Sequence, residues 1–118
     1  RKKISKFYNK HLTSKTLINR VYDSKTKSAY HLYIVRSKKI KNSMQKKKVF
    51  QVFKKNKINL GFHYPPIYNF SSYKTLKFNK KNFLESEKYS IDAFSIPIYY
   101  KMSFKNVRKV CRLVNKYL

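Results

Sequence analysis

One glycine, one cysteine, no tryptophan and four acidic residues are all that these types contribute to a chain of 118 amino acids. The single cysteine, Cys111, excludes an internal disulfide and a metal site built from several thiolates. Set among Val107, Val110 and Val114, it reads as a small core or boundary residue. No apolar run is long enough to span a bilayer as a helix, and no charged-then-apolar leader is present, so membrane insertion is not expected and a cytoplasmic location is. The first residue is Arg1 rather than Met and already lies in a helical pattern, which favours a fragment or processed product.

What is present begins with apolar content of 42%, enough for one domain over residues 1–118 with a modest core. The net charge is +26, and two readings account for it. One is polyanion binding, to nucleic acid or an anionic membrane surface. The other is codon drift in an AT-rich genome, since Lys, Asn, Ile, Tyr and Phe dominate. Lysine outnumbers arginine 25 to 5, whereas nucleic-acid readers favour the arginine fork. Drift explains that excess better than it explains the shortage of acid. It predicts lysines spread over all exposed faces, with no dense stripe.

Residues 3–12 place Ile4, Phe7, Tyr8 and Leu12 on one helical face. Ser28 to Arg36 is β-branched and aromatic, the pattern of a buried strand that would contain His31. Positions 43–57 carry Met44, Val49, Val52 and Phe53 among lysines, a second amphipathic helix with Asn56 placed for a left-handed cap. Asn59 to Phe62 is a short strand candidate that includes Gly61, the residue that takes positive φ cheaply. Pro65 and Pro66 then predict an extended aromatic loop over 63–82. Asn82 is placed to cap a helix over Phe83–Ala93, with Glu85 and Glu87 where its dipole favours acids. Ser95 to Tyr99 is a short extended piece. Ser103 opens a last helix with Phe104, Val107, Val110, Cys111, Val114 and Leu118 on one face. The order predicts an α+β fold: a small sheet with helices packed on one face, burying Val49, Val52, Phe53, Val107, Val110 and Val114.

Three landmarks carry more than this pattern: Ser28-Ala29-Tyr30-His31-Leu32-Tyr33-Ile34-Val35, then Gly61-Phe62-His63-Tyr64-Pro65-Pro66, then Ser95-Ile96-Pro97, preceded by Glu87-Lys88-Tyr89. In this order and spacing they resemble the C-terminal small domain of the DegT/DnrJ/StrS family of pyridoxal-phosphate-dependent sugar-nucleotide aminotransferases, over essentially the whole chain. From His63 through Tyr73 the resemblance is nearest to enzymes that aminate C4 of a UDP-linked 4-keto-6-deoxy sugar. That branch often has a second histidine where this chain has Tyr68, and a proline where it has Ser71.

The resemblance implies a small domain of the fold-type I kind and a ping-pong transfer of an amino group from glutamate to a nucleotide-linked keto sugar, as in cell-surface glycan synthesis. It also implies a homodimer at full length. The Schiff-base lysine, the acid at the pyridine nitrogen and the phosphate donors belong to the family's large N-terminal domain. The resemblance therefore assigns no catalytic, cofactor-binding or metal residue here, and pyridoxal phosphate would be bound by the missing domain.

His63 and Tyr64 are the candidate substrate-binding residues, because Gly61 and the two prolines can hold them in a rigid loop and a neutral imidazole can bond a sugar hydroxyl or diphosphate oxygen. A loop anchor is the alternative for His63. His31 reads as structural and His11 as surface. Tyr30, Tyr33, Tyr68 and Tyr73 could line a sugar site or pack the core. A basic nucleic-acid- or ribosome-binding module that kept the fold without catalysis is the competing function.

Overall fold

The computed structural model describes residues 1–18, 28–73 and 75–118. Helix α1 spans Lys2–His11, strand β1 Tyr33–Arg36, helix α2 Ser43–Lys55, helix α3 Leu84–Asp92, strand β2 Ala93–Ile96 and helix α4 Phe104–Tyr117. The strands pair antiparallel, with Tyr33 opposite Ile96 and Val35 opposite Phe94. Gly61 extends the pairing by a single antiparallel bridge to Ser95.

Because side chains alternate across a strand, Tyr33, Val35, Phe94 and Ile96 share one face. They join Ile4, Tyr8, Phe53, Val107, Val110, Cys111, Val114 and Leu118 in one core. The Tyr8 hydroxyl donates to the Pro97 carbonyl at 2.7 Å, satisfying the polar end of a fully buried ring. Burial pushes the Cys111 thiol up to about 11, in keeping with an inert packing residue. The α+β class therefore stands, with helices packed on the core face of a small sheet.

Helix ends follow local chemistry. Asn42 accepts from the Gln45 amide at the start of α2, and Ser103 accepts from the Asn106 amide at the start of α4. Alongside, α1 packs on α4 through a Phe7–Phe104 edge contact at 5.4 Å. The Asn115 side chain holds the turn after α1, donating to His11 O at 2.8 Å and accepting from the Thr13 amide at 2.9 Å.

Several boundaries differ from expectation. Strand β1 holds four residues rather than eight or nine, and His31 lies outside it, exposed. The left-handed residue after α2 is Lys57, φ 57°, not Asn56, whose side chain instead donates to Val52 O. Asn79, not Asn82, provides the cap, and it serves a 3₁₀ turn over Lys80–Phe83 that leads into α3. The loop after the prolines is not extended throughout: it also winds 3₁₀ turns over Ile67–Asn69 and Ser71–Tyr73. Val49 and Val52 are half-buried rather than buried, and Phe104 is 41% exposed while Leu113 takes a core place. Among these, only Phe53 of α2 is enclosed, which leaves α2 at the margin of the core.

Candidate functional site

Gly61 and Ser95 exchange both backbone hydrogen bonds, at 2.9 and 2.8 Å. This close pairing brings two of the sequence landmarks together across 32 residues: His63 Nε2 lies 2.9 Å from Ser95 Oγ. The reason for glycine is contact, not dihedral freedom, since Gly61 does not take a positive φ. A Cβ there would stand 2.4 Å from Ser95 Oγ and 2.5 Å from His63 Nε2. The sequence expectation for Gly61 is thus corrected in its cause.

His63 is half-buried, and its Nδ1 is enclosed without a hydrogen-bond partner among the described residues. Tyr64 stands edge-on to the imidazole at 5.2 Å between centroids and is 70% exposed. With Pro65, Pro66, Glu85, Ser86 and Tyr89 it borders a shallow cleft of about 380 Å³. His63 and Tyr64 are therefore adjacent, but only Tyr64 offers its ring freely at the surface.

His31 lines a cavity of about 610 Å³ together with Gly61 and Ser95, whereas His11 and the tyrosines below do not converge on this pairing. His11 is exposed and stacks on Phe7 at 4.0 Å. Tyr33 is buried and donates to Asn9 Oδ1 at 2.6 Å. Tyr68 is buried under Phe78 and Phe83 and donates to Glu87 Oε1 at 2.6 Å. Tyr68 is therefore a packed, bonded phenol. Tyr30 is half-buried against the core and Tyr73 exposed.

Two polar clusters escaped the sequence reading. Arg36 grips Asp92 bidentately, Nε to Oδ1 at 2.7 Å and Nη2 to Oδ2 at 2.8 Å, and lies over the Tyr89 ring at 5.2 Å. The paired carboxylate raises the pKa of Arg36 still further. Lys46 donates to the Ser90 and Ala93 carbonyls at 2.6 and 3.0 Å and sits 3.9 Å above the Phe62 ring. Burial pushes its ammonium down to about 8. Nothing in the sequence pattern marks these pairs, which meet only through the fold.

These groups do not suit pyridoxal phosphate. The half-buried Lys46 is committed to two carbonyls, and the buried acid Asp92 to Arg36. No group of three or more His, Cys, Asp or Glu side chains able to hold a metal ion exists among the described residues. No described helix is long and apolar enough to cross a membrane.

Residues 1–115 match the DegT/DnrJ/EryC1/StrS aminotransferase family. The chain belongs to that family. No curated protein matches it. Among solved structures, the fold is similar to the PLP form of a Streptococcus pneumoniae protein described as a sugar aminotransferase, with a TM-score of 0.85 at 22% identity over 99% of this chain and 31% of that one. It is similar to DesV of S. venezuelae, solved with a ketimine intermediate, with a TM-score of 0.84 at 17% identity over 98% of this chain and 30% of the other. It is also similar to Helicobacter pylori PseC, an aminotransferase of pseudoaminic acid biosynthesis, with a TM-score of 0.75 at 21% identity over 98% and 31%. Identities this low speak for the shared fold. The chain spans about three tenths of the length of these structures.

Proposed function

We propose that this chain is the C-terminal small domain of a PLP-dependent sugar aminotransferase, and that its own part is to wall the sugar-nucleotide site with His63 and Tyr64. The whole enzyme, a cytoplasmic homodimer in this reading, would move an amino group from glutamate to a nucleotide-linked keto sugar. Pyridoxal phosphate, which stores the amino group between the two halves of such a transfer, would be held by the large domain. The family membership supports the reaction class.

The observation that carries the site is the state of His63. Ser95 engages Nε2, which fixes the ring, and Nδ1 is left enclosed and unpaired. An enclosed polar nitrogen without a partner costs about 1–3 kcal/mol. The chain itself covers Nδ1, so a sugar hydroxyl would recover that loss once the His63 loop turns this nitrogen outward. Tyr64 would add an exposed phenol beside it.

In the full-length enzyme, His63→Ala is expected to lower kcat/KM for the sugar nucleotide by roughly ten- to hundredfold while sparing the half-reaction with glutamate. Single-turnover kinetics of the two half-reactions provide the check. A lower melting temperature with both half-reactions falling together would identify His63 as a loop anchor instead.

A further inference from the structure

The charge of this molecule is not evenly mixed. Cations occur on every helix, as drift predicts, but Glu85, Glu87 and Asp92, the acids among the described residues, all stand on α3. Asp92 is consumed by Arg36 and Glu87 accepts from Tyr68. Helices α1, α2 and α4 carry no acid at all, and α1 and α4 pack side by side.

Along α4 the exposed cations are Lys105, Arg108, Arg112 and Lys116. Spacings of three and four residues place them on one face, within roughly 80° of arc and about 16 Å of helix. This row lies opposite the buried Val107, Val110, Cys111 and Val114. Exposed Lys3, Lys6 and Lys10 repeat the spacing on neighbouring α1, opposite Ile4 and Tyr8. The α4 cations thus form an ordered row within a wide spread of lysines, since α2 also exposes Lys47, Lys48, Lys54 and Lys55. Two of the five arginines fall in it, the fork-bearing cation suited to phosphate.

We propose that the α4 row, with α1 beside it, is a docking surface for the phosphate backbone of nucleic acid, engaged without reading base sequence. Charge complementarity selects this partner: one cation per helical turn meets a regularly charged polymer. A lipid surface fits less well. An interfacial helix inserts an apolar face beside its cations, and the apolar face of α4 is already spent on the core.

The test compares two variants of the 118-residue chain, each losing four positive charges. One changes Lys105, Arg108, Arg112 and Lys116 to Gln; the control changes the exposed Lys47, Lys48, Lys54 and Lys55 of α2 to Gln. Binding to a short random-sequence DNA duplex is measured against salt, with thermal melting confirming that both variants fold. The α4 variant should lose at least about tenfold in affinity near 0.1 M salt, and its slope of log K against log salt should shrink by about 3. The control should lose less than about threefold. Equal losses would mean diffuse charge and overturn the surface. So would binding to anionic phosphatidylserine vesicles in place of the duplex. If the α4 variant does not fold, Arg108→Gln with Arg112→Gln replaces it, against Lys47→Gln with Lys54→Gln, under the same criterion of unequal loss.

Discussion

Replacing Asp92 with alanine is expected to destabilise the isolated chain by about 3 kcal/mol, among the largest single effects in the molecule. Its carboxylate is 5% exposed and accepts both Arg36 bonds, while the Arg36 side chain is 25% exposed. Truncation would leave a guanidinium largely out of water, with the Tyr89 ring beside it and the Glu85 carboxylate acting from farther off. The partial exposure of Arg36 keeps the cost at the low end of the range for breaking a buried pair. Arg36→Met on top of Asp92→Ala should restore part of the loss, because both partners are then apolar. Urea unfolding of the two variants measures this. A loss below about 1 kcal/mol for Asp92→Ala would show the pair to be a solvated surface contact.

Gly61→Ala should cost about 1 kcal/mol, chiefly the lost contact between two side-chain ends that can turn away from the new methyl. The new methyl would occupy the space of Ser95 Oγ and His63 Nε2, so the 2.9 Å contact between them could not persist. In a His63→Ala background the penalty should shrink, since one of the two obstructions is gone. Urea unfolding supplies the energies, and the ring-proton shifts of His63 report whether the contact with Ser95 has opened. A substitution tolerated without change in either measurement would contradict the close approach.

The fold was legible where periodicity and burial coincide. Val107, Val110, Cys111 and Val114 repeat at helical spacing, and they line the core as expected. Ser28 to Leu32 shares its composition with Tyr33 to Arg36, so composition predicts a longer strand than the one that pairs. Composition does not say where pairing stops, and only the four residues opposite Ala93–Ile96 find partners in that strand. Asn56 and Asn82 were reasonable caps by residue type. The chain used Lys57 for the left-handed turn and Asn79 for the cap. Loop geometry decided both, and residue preference alone does not carry it.

The candidate site was half legible. The Gly-Phe-His-Tyr-Pro-Pro stretch points to His63 and Tyr64, consecutive in the chain, and the structure adds the edge-on packing of their rings. The role of Ser95 was hidden, since a serine in a short extended segment has no periodic signature. Its meaning comes from a bridge to Gly61 across 34 residues of chain. Arg36–Asp92 and Lys46 were hidden likewise, each joined over more than 40 residues.

The central claim is that this chain supplies part of an aminotransferase's wall but not its cofactor site. Titrating the 118-residue chain with pyridoxal phosphate, followed by absorbance and then by mass spectrometry after borohydride reduction, tests it most directly. With 25 lysines present, the account predicts weak, non-saturating labelling spread over many exposed lysines, and no amino transfer from glutamate. One saturable, stoichiometric site, lost on replacing a single lysine, would contradict it.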